Sequence, residues 1–253
     1  MRALITNDDG IASPGLAVLV DVALEAGYEV VVAAPARESS GASASLLGAE
    51  RDGTLLVDPT RAPGVPDHVT CYAVRAAPAL IAFLAAHDGF GPRPDVVLSG
   101  VNLGANTGHA VIHSGTVGAA LSAMTHGIHG LAVSVASARP RHWDTVRGVA
   151  ARGLRWLTDR PARGGVLNVN VPDVPADRLE GVRSAPLASF GAVQARVHEV
   201  DRGQLMVTYS EIDPARDAES DAGLLARGWA TMTLLQAPCF DPDADIEEVT
   251  GPL

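Results

Sequence analysis

An α/β fold built on a mainly parallel sheet with helices on both faces is expected from three observations. Short apolar runs rich in Val, Leu and Ala recur along the chain, longer segments of helical composition separate them, and glycines and small polar residues gather at the ends of the runs. The first run, "ALIT", suits a buried strand. "PGLAVLVDVALEAG" has helical composition, with Pro14 tolerable in a first turn and Gly27 at the stop. The Val-rich "YEVVVAAP" then completes a β-α-β unit. "PALIAFLAAHDGF" reads as a helix, "PDVVLSG" as a strand, "SGTVGAALSAMTHG" as a loop feeding a helix and "GLAVSVA" as a strand. "HWDTVRGVAARGLRWLTDR" follows as an amphipathic helix and "GGVLNVNVP" as a strand. Near Asp173 the character changes: short segments with Pro and Gly appear, and "VTYSEID" and "WATMTLLQ" read as antiparallel strands. The expected organisation is one α/β unit, a core over residues 1–172 and an irregular subdomain or oligomerisation arm over 173–253.

At 253 residues, 47% apolar and 19% charged, the chain can bury a sizeable core. A formal net charge of −10 argues against a surface for DNA or RNA, whose non-specific affinity comes from clustered Lys and Arg. Any anionic ligand must be met by a local device. The two cysteines, Cys71 and Cys239, have no metal-ligand spacing, and no leader-like stretch opens the chain, so a reduced, cytoplasmic protein is expected. No apolar run approaches the roughly 20 residues that span a bilayer.

In an open α/β sheet, ligands bind beyond the carboxyl ends of the strands. Asn7, Asp8, Asp9 and Gly10 follow the first strand, Arg37 to Gly41 the second, and Ser99 to Gly108 the run "DVVL". Asp8 and Asp9 are adjacent like charges. Desolvating such a pair costs several kcal/mol per ion, roughly, unless a cation or hydrogen bonds compensate. A hard divalent cation, Mg²⁺ or Mn²⁺, prefers the oxygens these loops offer: Asp8, Asp9, a serine and Asn102. "NDDG" suits a plain turn equally well. In "HSGTVGAAL", Ser114, Gly115 and Thr116 lead into a helix whose first N–H groups could cradle a phosphate without net positive charge, or whose serine is an ordinary N-cap. His109 and His113 stand four apart in a Gly-containing segment without the glutamate of a zinc-protease motif, so no zinc site is expected.

The segments "ITNDDGIASPG", "VVVAAPARESSGAS", "PDVVLSGVNLGANTG", "SGTVGAAL" and "LNVNVP", in this order, closely resemble the SurE family, the survival-protein-E nucleotidases and acid phosphatases. "AESDAGLLARGWATMTLL" extends the resemblance towards the end of the chain. It implies a Rossmann-like α/β domain, divalent-metal phosphomonoesterase activity on nucleoside monophosphates and related esters, and a dimer or tetramer built partly with C-terminal extensions. Carried over by position, it implies metal ligands Asp8, Asp9, Ser40 and Asn102 and phosphate-binding groups Asn106, Ser114, Gly115 and Thr116. Asp8, Asp9, Asn102 and Asn106 would be the catalytic set.

The chain departs from the family pattern around these positions. "ARES", Ala36 to Ser39, stands where relatives carry an acidic and a basic group; "AAPALI", Ala76 to Ile81, lacks a Thr and an Asp; and His109, Ala110 and His113 precede "SGT" in place of an acidic pair and a tyrosine. Loss of polar partners weakens recognition of a specific polar group, so a phosphorylated metabolite other than a standard nucleotide is the leading variant of the expectation. His113 is either a proton donor to the leaving group or an ordinary loop histidine. Two other classes stay open, a metal- and nucleotide-phosphate-binding protein without turnover, and a glycosyl or nucleotidyl transferase.

Overall fold

A computed structural model describes residues 1–48, 50–51, 54–160, 165–189, 193–201, 204–211 and 217–239. Strand β1 (Arg2–Thr6) leads into helix α1 (Gly15–Glu25) and strand β2 (Glu29–Pro35). In α1 the buried Leu16, Leu19, Val20 and Ala23 recur at helical spacing, and Gly27 takes the positive φ of +82° that turns the chain into β2. Next come β3 (Glu50–Arg51), β4 (Thr54–Leu55), β5 (Val57–Thr60) and β6 (Thr70–Val74), in a stretch without a long apolar run. Helix α2 (Pro78–Ala86), strand β7 (Val96–Leu103), helix α3 (Gly115–Thr125), strand β8 (His129–Val135), helix α4 (Trp143–Thr158) and strand β9 (Val166–Val171) fall where the apolar pattern places them. The last elements are β10 (Gly181–Ser184), the hairpin β11 (Val193–Asp201) and β12 (Gln204–Glu211), helix α5 (Asp221–Ala226) and β13 (Trp229–Leu235).

The nine-stranded main sheet runs β10-β13-β9-β8-β7-β1-β2-β6-β5. Its six central strands, β9 to β6, are parallel; β5 and β13 attach antiparallel, and β10 pairs parallel to β13. The change of character near Asp173 therefore extends the same sheet through β10 and β13, while β11 and β12 pair antiparallel apart from it. Residues 240–253 of the expected arm, and the end of "VTYSEID", lie outside the described residues.

Ile5, Leu98, Leu131, Val133, Leu167 and Val169 face α1 and α4 on one side of the sheet. Leu4, Val31, Ala33 and Val97 face α2 and α3 on the other. Each fully buried Leu or Ile contributes about 1.5–3 kcal/mol. Among the described residues no helix is long and apolar enough to cross a membrane. Because β2 and β6 lie on one side of β1 and β7, β8 and β9 on the other, the order reverses between β1 and β7. The crevice beyond their carboxyl ends is where such sheets bind ligands.

Candidate active site

The loop after β1 opens that crevice. Asn7 Oδ1 accepts the Gly10 N–H at 3.1 Å and Asn7 Nδ2 donates to the Gly10 carbonyl at 3.0 Å, closing a turn around the two aspartates. Gly10 has φ +96°, and a Cβ there would lie 3.2–3.3 Å from the backbone of Pro35, Arg37 and Glu38. The turn and the paired carboxylates are thus one device, with Asn7 and Gly10 making the turn that presents Asp8 and Asp9.

Three other segments close on this pair. The Ser39 N–H donates to the Asp8 carbonyl at 2.7 Å, which ties the loop after β2 to it. The Leu103 N–H, at the end of β7, donates to Asp9 Oδ2 at 3.3 Å. At the start of α3, Thr116 donates its N–H to Asp8 Oδ2 at 3.1 Å and its hydroxyl to Asp8 Oδ1, and the Gly115 N–H also bonds the carboxylate. A Cβ on Gly115 would lie 2.9 Å from Asp8 Cβ and Oδ2, so only glycine allows the helix this close.

Burial pushes the Asp8 carboxyl above its ordinary range, against the Thr116 and Gly115 hydrogen bonds. Burial and then the Asp8 charge push Asp9 up to about 6, against the Leu103 bond. Among the described residues neither carboxylate has a cationic side chain in an ion pair, and no three His, Cys, Asp or Glu side chains converge. Two desolvated carboxylates without a counter-charge fit a divalent cation, completed by neutral oxygens rather than by further charged or sulfur ligands.

Ser40 donates its hydroxyl to Glu38 Oε1 at 2.7 Å, keeping its oxygen as an acceptor in the same loop. Asn102 spends its amide nitrogen on the Gly104 carbonyl at 2.7 Å, leaving Oδ1 as its acceptor. Asn106 is held from several sides: its N–H donates to Asn170 Oδ1 at 2.8 Å, its carbonyl accepts from Asn168 and Asn170, and its side-chain amide donates to Ser134 Oγ at 2.8 Å. Ser114 is the N-cap of α3, accepting the Val117 N–H at 3.1 Å. The expected phosphate cradle therefore spends its Gly115 and Thr116 donors on Asp8 in this structure.

His109 and His113 lie within a 3-10 turn (Gly108–His113) that leads into Ser114. The His113 carbonyl accepts the Ser43 N–H at 3.2 Å, and no described bond joins its ring to the carboxylates. One residue the motifs did not single out is Asp221. Fully buried at the start of α5, it accepts the N–H groups of Gly108 at 2.9 Å, Ala188 at 2.9 Å and Ala222 at 2.8 Å. It seats the segment that leaves Asn106. Its only sequence signal is an acidic residue behind a serine N-cap in "ESDAG".

With this geometry in place, comparison with known proteins finds that the family model described as Survival protein SurE matches residues 3–193. The 5'/3'-nucleotidase SurE of Edwardsiella ictaluri is 37% identical over 240 residues, spanning 93% of this chain and 90% of the relative. The 5'-nucleotidase SurE of Nitrosococcus oceani is 36% identical over 255 residues, spanning 99% and 97%. The crystal structure of the SurE protein from Aquifex aeolicus superposes with a TM-score of 0.76 over 95% of each chain, at 24% identity, a likeness of fold.

Proposed function

The chain belongs to the SurE family, and on that premise we propose that it is a divalent-metal-dependent phosphomonoesterase acting on nucleoside monophosphates or a related small phosphorylated metabolite. The observation that carries the reading is the Asp8–Asp9 pair at the reversal of strand order, both carboxyls raised and neither neutralised by a described cationic side chain. Asp8, Asp9, Ser40 and Asn102 would hold Mg²⁺ or Mn²⁺. Bound there, the cation supplies Lewis acidity and makes a water more acidic.

The protein's own groups divide the remaining work. Asp8 is fixed by the Gly115 and Thr116 donors and serves as a rigid ligand. Asp9 has a single described acceptor bond, so it is the freer carboxylate to orient water and to take its proton. Ser114, whose oxygen accepts from Val117, keeps its own O–H to donate to a phosphoryl oxygen. Asn106, with one amide proton on Ser134, offers the other. Water adds to phosphorus as Asp9 takes its proton, the ester P–O bond breaks, and the leaving oxygen takes up a proton from solvent to depart as the alcohol.

The test is release of inorganic phosphate from nucleoside 5'- and 3'-monophosphates, sugar phosphates and an aryl phosphate with Mg²⁺, Mn²⁺ or EDTA. Release with metal and none with EDTA is expected. Binding of metal and ester without release from any member would overturn turnover in favour of a binding protein.

A further inference from the structure

Joined to the aspartate loop through Ser39 is a cavity of about 870 Å³, large enough for a sugar- or nucleoside-sized group. It is formed where the ends of β2 and β6 meet the loop that bears Ser39 and Ser40. Its apolar lining includes the small residues Ala36, Val74, Ala76 and Ala77, and its charged lining is Arg37, Arg75 and Asp58. Ser39 also lines it, and the Ser39 N–H is the group bonded to the Asp8 carbonyl. Ser39 is thus the shared boundary between the cavity and the aspartate loop.

Two features say what the cavity recognises. No Phe, Tyr or Trp is among the residues lining it, so a nucleobase finds no ring to stack on. Arg37 and Arg75 line it instead; both are exposed, and among the described residues neither has a side-chain hydrogen bond or ion pair. The Ala36 N–H donates to the Val74 carbonyl at 2.7 Å, which anchors the two arginine-bearing backbones side by side. In a chain of formal net charge −10, an anion with more than one charged group needs such a local positive device to approach. Guanidinium forks match planar and tetrahedral oxyanions.

We propose that this cavity is the leaving-group pocket and that Arg37 and Arg75 select phosphomonoesters whose leaving group carries a second oxyanion, a carboxylate or another phosphate. This rests on the phosphomonoesterase reading. The experiment compares matched esters within one protein sample: glycerol 3-phosphate against 3-phosphoglycerate, and adenosine 5'-monophosphate against adenosine 3',5'-bisphosphate, with Mn²⁺. The wild type is expected to favour the second member of at least one pair by about tenfold or more in kcat/KM, mainly through KM, and the pair that responds identifies the oxyanion. R37Q and R75Q should each bring that ratio towards one; because both esters meet the same sample, loss of folded protein cancels. Equal kcat/KM in the wild type, or a ratio kept by both variants, overturns the proposal. So does a uniform fall in kcat with the ratio intact, which would move the guanidiniums to the transferring phosphate. If no ester, the aryl phosphate included, releases phosphate, the phosphomonoesterase reading fails. Calorimetric titration of the same pairs into metal-loaded protein then decides the pocket alone: tighter binding of the second member, lost in R75Q, supports it, and equal binding overturns it.

Discussion

Thr116 gives both of its donors to Asp8, the N–H to Oδ2 at 3.1 Å and the hydroxyl to Oδ1. The first turn of α3 thus aims a carboxylate, and the dipole end that could have met a phosphate directly meets it, in the proposed function, through that carboxylate's metal.

Replacing Thr116 with Val removes the hydroxyl and keeps the shape. Supports of this kind are worth about 10–100-fold in metal affinity or activity. T116V is expected to weaken Mn²⁺ binding by that order in calorimetry, and T116S to restore most of it. Unchanged affinity in T116V would remove the hydroxyl from any role in aiming Asp8.

Gly115→Ala tests the closeness of the helix. Gly115 is the first residue of α3, so alanine gains little there as a helix former and meets Asp8 instead. The added Cβ would sit 2.9 Å from Asp8 Cβ and Oδ2. G115A should lose about 1–3 kcal/mol of stability by overpacking and, in the protein that stays folded, at least about tenfold in kcat/KM. Full activity in the folded variant would mean that Asp8 tolerates displacement.

The raised carboxyl of Asp9 sets a pH dependence with a definite sign. Its value near 6 in the metal-free fold lies above the ordinary 3.8. Its stabilising contribution is complete below about pH 4 and is lost as the pH rises to about 6. Asp9→Asn should flatten that slope in urea unfolding with EDTA and stabilise the metal-free protein near pH 7 by about 1 kcal/mol, allowing for solvent screening. The same variant should lose about 10²–10⁴-fold in kcat. Divalent metal should bind the wild type more weakly below pH 6 and release protons on binding, because the cation competes with the proton for this carboxylate.

Asp221→Asn keeps an oxygen for the Ala188 and Ala222 N–H groups and leaves the buried Gly108 N–H facing an NH₂ group. A cost of about 2–3 kcal/mol in denaturant unfolding is expected. Activity per folded molecule should fall as well, since Gly108 lies two residues from Asn106. Loss of stability with full activity in the remaining folded fraction would make Asp221 a fold residue alone.

The central strands and helices are legible because their apolar residues recur at the periods that burial demands, as in Leu16, Leu19, Val20 and Ala23 of α1. β5, "VDPT", is exposed at all four positions and contains Pro59, so an edge strand left no apolar signal. "NDDG" drew attention to Asp8 and Asp9, and Ser114 to Thr116 to a helix start. What the Thr116 donors hold was not legible, since a free N-terminal amide suits a ligand or a side chain 108 positions away equally well. Asp221 was silent for the same reason: its carboxylate is defined by amides that tertiary folding brings to it.

That carboxylate also imposes an order of assembly. Gly108 is made 113 residues before the group that seats it, so a growing chain can form β1, β7 and the start of α3 while the segment leaving Asn106 still lacks its clamp. Until α5 is made, the N-terminal half lacks one of the groups that hold the segment leaving Asn106. A chain stopped short of Asp221 is expected to keep the aspartate pair and lose that clamp, so its segment from Asn106 to Gly108 should exchange amide hydrogens faster than in the whole protein.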